Sequence, residues 1–264
     1  MKQFGPGVSE ILNITDDNYS TNFEFYTSVA LGQAPGYSYI EKFGNNPSIP
    51  TKDIEADIWD AGGLYTFPAS AGTLTTIASS SADDTAAGEG AKTVKVFGLD
   101  STYTAISETI AMGGTAVTPL ANNYLRVYRA YVVTCGTITT NAGTINITQT
   151  AVNMARIQPT KGQTLMAIYT VPDGYTGYML NYYASSQRAV TTTGVDVSVK
   201  VRNFGEAWRV RHTTTTLTVG TSHIEHGFHF PPMIPAKADI RMSVLTGANT
   251  MAVDGGFEML LKAD

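Results

Sequence analysis

From about residue 57 to the C-terminus, apolar and polar positions alternate with a period of two. The alternation is plainest in Thr93-Val94-Lys95-Val96-Phe97, in Gly143-Thr144-Ile145-Asn146-Ile147-Thr148 and in Val195-Asp196-Val197-Ser198-Val199-Lys200-Val201-Arg202. It returns in Ile240-Arg241-Met242-Ser243-Val244 and Phe257-Glu258-Met259-Leu260-Leu261. This is the signature of half-buried strands. Further strand candidates run over residues 74–78, 103–112, 124–133, 164–171, 175–183 and 207–219. Turn formers separate them: Gly98-Leu99-Asp100-Ser101, Ala111-Met112-Gly113-Gly114, Val171-Pro172-Asp173-Gly174 and Thr193-Gly194. At most one short helix is expected, between Ile49 and Ile58. Many strands without crossover helices predict an all-β fold, an antiparallel jelly-roll-type β-sandwich. A lone immunoglobulin-like module needs only about 100 residues and would leave much of the chain unexplained. No repeat of the 20–50-residue kind that builds propellers or solenoids is present.

Residues 1–56 follow another pattern. Aromatic residues (Phe4, Tyr19, Phe23, Phe25, Tyr26, Tyr37, Tyr39 and Phe43) are scattered without period among Pro6, Gly7, Gly32, Pro35, Gly36, Gly44, Asn45, Asn46, Pro47 and Pro50. The expected organisation is an irregular N-terminal arm or small lobe over 1–56, followed by the sandwich over 57–264. As an arm it would lie across a neighbouring subunit; as a lobe it would pack on its own body. Burying eight such rings is worth on the order of 10–20 kcal/mol gross. Ordering roughly 50 residues offsets much of that, so an arm needs partial preorganisation or several copies acting together.

Composition narrows the function. Charged residues make up 15% of the chain and the net charge is −5, which argues against a basic nucleic-acid binder. There are 37 threonines, β-branched residues suited to pleated, half-exposed surfaces. The single cysteine, Cys135, excludes a disulfide framework and a thiolate-paired zinc site, and its place at the end of an apolar run predicts a small buried hydrophobe. No apolar leader follows Met1 and no stretch approaches the roughly 18 apolar residues of a membrane span. The expectation is a chain made in a host cytoplasm that stays there or leaves as part of an assembly, with no membrane partner.

Candidate chemistry is sparse. His223, His226 and His229, with Glu225 between them, carry the ligand types of a zinc or iron site. Residues three apart on a strand point to opposite faces, so polar edge or interface residues are the expected role, sensitive to pH near 6. Asp83, Asp84 and Glu89 group carboxylates in a small-residue loop that misses the calcium-loop spacing and is expected to be a solvated turn. Tyr124-Leu125-Arg126-Val127-Tyr128-Arg129-Ala130-Tyr131, with Arg202, Arg209 and Arg211 further on, mixes aromatic and basic residues; in an acidic chain a protein interface is favoured over nucleic acid. Tyr175, Tyr178, Tyr182, Tyr183 and Trp208 are candidate sugar-stacking platforms. No nucleophile elbow, phosphate loop or dinucleotide fingerprint occurs, so no enzyme activity and no cofactor are expected.

Three segments carry a resemblance: Ile58-Trp59-Asp60-Ala61-Gly62-Gly63-Leu64-Tyr65-Thr66-Phe67-Pro68, residues 163–172 (Gln163 to Pro172) and Gly220-Thr221-Ser222-His223. They resemble structural proteins of tailed bacteriophages, and within these the capsid decoration (cement) proteins with a jelly-roll body. The similarity runs from about residue 57 to the end. It implies a virion component on the capsid exterior, a homotrimer whose partner is the major capsid protein, and no particular binding residues. Related folds serve in tail, fibre and adaptor proteins, which keeps a receptor- or carbohydrate-binding role as the alternative.

Overall fold

The computed structural model describes residues 22–49, 52–150, 152–247 and 251–264. Phe4 and Tyr19 lie outside the described residues. In chain order the elements are α1 (Asn22–Ala30), β1 (Tyr37–Ile49), β2 (Ala56–Asp57), β3 (Thr75–Ser79), β4 (Ala91–Leu99), β5 (Ala105–Ala111), β6 (Thr118–Pro119), β7 (Arg126–Cys135) and β8 (Ile145–Gln149). They continue with β9 (Val152–Ile157), β10 (Ile168–Thr170), β11 (Tyr175–Arg202), β12 (Arg209–Gly227), β13 (Met233–Ile234), β14 (Asp239–Thr246) and β15 (Met251–Ala263). The strands form antiparallel sheets, so the all-β, antiparallel expectation holds. The strand order, an eight-stranded, a four-stranded and a three-stranded sheet, does not by itself define a jelly roll.

The eight-stranded sheet folds onto itself. β11 pairs with β15 through residues 175–187 and with β14 through residues 195–202. If β11 were straight, Tyr182 and Val199 would stand roughly 55 Å apart at about 3.3 Å per residue. Yet Tyr182 reaches His212, the register partner of Val199. The ribbon of β11 and β12 therefore turns back on itself, and its register breaks between Arg188 and Thr193. One layer holds β1, β15 and the first half of β11. The other holds the second half of β11, β14 and β10. Between them Met179, Tyr182, Phe257 and Met259 face Val195, Val197, Val199, Met242 and Val244 in one core. The turn expected at Thr193-Gly194 is thus absorbed into a continuous, bent strand.

A second sandwich is inserted between β2 and β10. The sheets β6-β3-β8-β9 and β5-β4-β7 enclose Ile77, Val94, Val96, Val127, Ile145, Ile147, Met154 and Ile157. Two buried carboxylates join the two cores. Asp57 accepts from the Tyr65 amide (2.7 Å) and from Ser243 Oγ (2.8 Å) and pairs with Arg241. Asp239 on β14 accepts from Arg126 Nε of β7 (3.1 Å), from Arg202 Nη2 of β11 (2.6 Å) and from Thr170 Oγ1 (2.6 Å).

The segment expected to be irregular is partly regular. Phe23-Glu24-Phe25-Tyr26 opens α1, with Glu24 in its first turn where the helix dipole favours an acid. The helix ends in a Schellman cap: Gly32 has φ +69°, its amide bonds Val29 O and the Gln33 amide bonds Ser28 O. β1 then pairs in register with β15, from Tyr37 opposite Lys262 to Asn46 opposite Val253. Ile49, Ala56 and Ile58 belong to the same core as Val197 and Phe257. Where at most one short helix was expected between Ile49 and Ile58, the described residues 52–54 form a turn and Ala56–Asp57 form β2. Chain reversal at Gly44 explains nothing there; close packing does, because a Cβ on Gly44 would lie 2.2 Å from Ile58 O and 2.6 Å from Ala167 N.

Candidate interaction surface

Alternation along β1 and β15 sorts their side chains onto two faces. Tyr37, Tyr39, Glu41 and Phe43 stand opposite Lys262, Leu260, Glu258 and Gly256 on the outer face. Helix α1 packs on part of this face: Val29 and Ala34 are buried against Leu260, and Phe25 meets Tyr37 edge-on at 5.2 Å between ring centroids. The helix stops short of covering the sheet. Beside it lies a groove of about 410 Å³ with Tyr26, Tyr39, Leu180 and Leu260 on its apolar walls and Glu41, Glu225 and Glu258 at its polar side.

The three carboxylates come from three strands. Glu41 of β1 is the direct register partner of Glu258 of β15, and Asn181 of β11, next across the sheet, donates Nδ2 to Glu258 Oε2 at 2.9 Å. Glu225 of β12 pairs with Tyr183 of β11. The Tyr183 phenol is pushed above its ordinary value, by burial first and then by the charges of Glu41 and Glu258. Like charges directly opposite on neighbouring strands destabilise a sheet. Among the described residues no Lys or Arg forms an ion pair with Glu41, Glu225 or Glu258. The arrangement is an apolar trough lined also by three carboxylates, complementary in charge to a cationic group.

The residues singled out from sequence are distributed around this surface rather than gathered in it. Tyr26 and Tyr39 line the groove; Phe25 and Tyr37 support α1; Phe23 lies on the helix and Phe43 on the same outer row of β1. His223 is on the outer face, its Nδ1 2.9 Å from Ser185 Oγ. His226 points inward, where its ring stacks on His212 at 4.0 Å, with Tyr182 and Phe228 against the pair. His229 lies beyond the strand, edge-on to exposed Phe230. The three histidines do not converge, and among the described residues no group of three His, Cys, Asp or Glu is placed to hold a metal ion. His212 was not singled out from sequence, since it stands alone among threonines, 14 positions before His226.

Other candidates resolve as structure. Asp84 is fully buried, not solvated, and accepts from Ser79 Oγ and from the amides of Ala91, Ala142 and Gly143 at 2.5–2.9 Å, so it holds its loop together with bonds a cation would otherwise supply. Cys135 is exposed at the end of β7, where the strand has run beyond the core, rather than buried. Arg126 is buried on Asp239. Tyr182 is fully buried, and Trp208 is occupied by Arg202 (4.9 Å) and Arg241 (4.4 Å), so the proposed stacking platforms do not form one exposed surface. No described helix is long and apolar enough to cross a membrane.

Comparison with known proteins adds little. No family model matches the chain, and no curated protein matches it. Among solved structures, it is similar to a chain in the structure of the Gt strain of infectious bursal disease virus, at 10% identity over 90% of this chain and 78% of that one, with a TM-score of 0.24. A chain of the VP2 subviral particle of the same virus gives 10% identity over 91% and 77%, with a TM-score of 0.24. One in the T13 particle of that virus gives 12% over 86% and 68%, with a TM-score of 0.23. Likeness at this level defines neither fold nor function.

Proposed function

We propose that this chain is a non-enzymatic virion structural protein, a decoration or cement protein that seats on a capsid lattice through the groove beside α1. The groove receives a segment of the major capsid protein that carries a lysine or arginine next to an apolar side chain. The observation that carries this reading is Glu41 held opposite Glu258, with no basic partner among the described residues, in the lining of an open apolar trough. Here the free chain bears a repulsion that an incoming cation relieves, which favours the bound state and rejects acidic partners. A homotrimer would present three such grooves and convert modest single-site affinity into firm attachment.

Electron cryomicroscopy of the source particle tests the reading. Density for this chain on the outside of the head, with the α1 face toward the capsid, supports it; density confined to the tail, or none on the particle, overturns it. Cosedimentation with undecorated capsids tests the groove. Glu41→Lys and Glu258→Lys should abolish binding, while a charge reversal at exposed Asp83 on the second sandwich leaves it intact. A tail, fibre or adaptor protein with receptor- or carbohydrate-binding activity is the alternative, and a tail location would select it.

A further inference from the structure

On the inner face of β1, one position on from Glu41, sits Lys42. Its register partner is Phe257, a core residue, and it is only 6% exposed. Nζ donates to the backbone carbonyl of Tyr128, and the Tyr128 ring centroid lies 6.0 Å away. Among the described residues no carboxylate forms an ion pair with it. A packing role would be better served by methionine, since burying an ammonium without a counter-ion is costly.

Lys42 also lines a cavity of about 390 Å³ between β1, β4, β7 and β10. Its walls are the rings of Tyr39, Phe97, Tyr128 and Tyr169, with Arg129 at one side and Glu41 as the only carboxylate. At Phe97 and Arg129 the cavity meets a second cleft, of about 490 Å³, lined by Tyr131 and Lys161. Together the two spaces are lined by a buried amine, aromatic rings and two exposed cationic side chains, Arg129 and Lys161.

We infer that Lys42 is a nucleophilic amine that binds a small planar aldehyde bearing an anionic group as a Schiff base, with Arg129 and Lys161 holding the anion. The Nζ lone pair attacks the carbonyl carbon, and the carbinolamine loses water. A C=N bond replaces the C=O bond; the carbonyl oxygen leaves as water with the two amine protons, and no electrons are transferred. Burial first, and then the Arg129 charge, lower the Lys42 ammonium from 10.5 to about 7. Near neutral pH a large share of this amine is therefore free base, against about one in a thousand for an ordinary lysine. The inference does not rest on the capsid-binding role, although Tyr39, Ile40 and Glu41 line both spaces.

The test uses the intact chain with pyridoxal 5′-phosphate as the probe, trapped with borohydride at pH 7.5 and mapped by peptide mass spectrometry. Lys42 should be labelled at least tenfold faster than each of the eight other lysines. Arg129→Gln and Lys161→Gln should raise the half-saturating probe concentration about tenfold. Lys161→Gln should leave the Lys42 rate with uncharged propanal unchanged, and Arg129→Gln, which also removes a charge that lowers the Lys42 ammonium, should slow propanal less than it slows the probe. Labelling spread evenly over the surface lysines, or reaching Lys42 only in denaturant, would overturn the inference. Equal sensitivity to both aldehydes in the two variants would overturn the anion-holding role.

Discussion

Tyr182 Oη lies 2.6 Å from His212 Nδ1, although the pairing register sets Tyr182 opposite His226 and His212 opposite Val199. The contact exists because the ribbon of β11 and β12 doubles over, and it places two imidazoles face to face between the layers, at 4.0 Å.

That pair makes the fold sensitive to acid. Burial first, and the neighbouring His226 second, hold the His212 imidazole below its ordinary 6.5. As pH falls the unfolded chain takes up this proton before the folded one, so stability rises with pH through and below 6.5 and is lost on acidification. The buried carboxyls of Asp57 and Asp60, raised to about 6 and about 7, push the profile the other way over the same range, so the test is a difference: His212→Asn should gain melting temperature relative to wild type as pH falls from 7 to 5. An unchanged profile in the variant would remove the pair from this role.

Lys42 acts in the opposite range. With its folded value near 7 and its ordinary value at 10.5, the unfolded chain holds the extra proton between them, so wild-type stability climbs from about pH 7 to about pH 10. Lys42→Met lacks this climb. Its advantage in melting temperature over wild type should be greatest at pH 6 and shrink steadily toward pH 10.

Asp239 binds two guanidinium groups from different parts of the chain and joins the two cores. Asp239→Asn leaves Arg126 buried without its counter-charge, and the loss should be about 3–5 kcal/mol in urea unfolding.

Gly44 sits where another backbone segment crosses β1. Gly44→Ala must displace Ile58 O or Ala167 N and should cost about 1–3 kcal/mol or more. Gly194→Ala, with nothing within 4 Å of the added Cβ, should stay within about 0.5 kcal/mol of wild type.

Glu41 and Glu258 should oppose each other in the free chain. Glu41→Gln is expected to raise the melting temperature at low ionic strength, with the gain fading above roughly 0.5 M salt as screening takes over.

Much of the β character was legible because strand periodicity is local. Val94, Val96, Val195, Val197 and Val199 alternate toward a core, and the structure buries each of them. β1 escaped the same reading because its inward positions include Lys42, Gly44 and Asn46. These residues suit a backbone crossing and a buried amine, and they give no apolar alternation. Its outward row carries Tyr37, Tyr39 and Phe43, so no apolar alternation marks the face that packs on the core. His223 and His226 point to opposite faces of β12, as residues three apart on a strand do. The stacking of His226 on His212 was not legible, because only the fold in β11 brings those positions together.

By itself the chain's order of residues determined an antiparallel β protein rich in half-exposed strands, with no recognisable catalytic motif, because these follow from side-chain type and a two-residue period. Tertiary structure alone decided that β1 closes on β15, that one sandwich is inserted in another, and that Glu41 confronts Glu258 beside an open groove. Those relationships join residues some 200 positions apart, and strand pairing at such range depends on how whole layers pack, which no local window records.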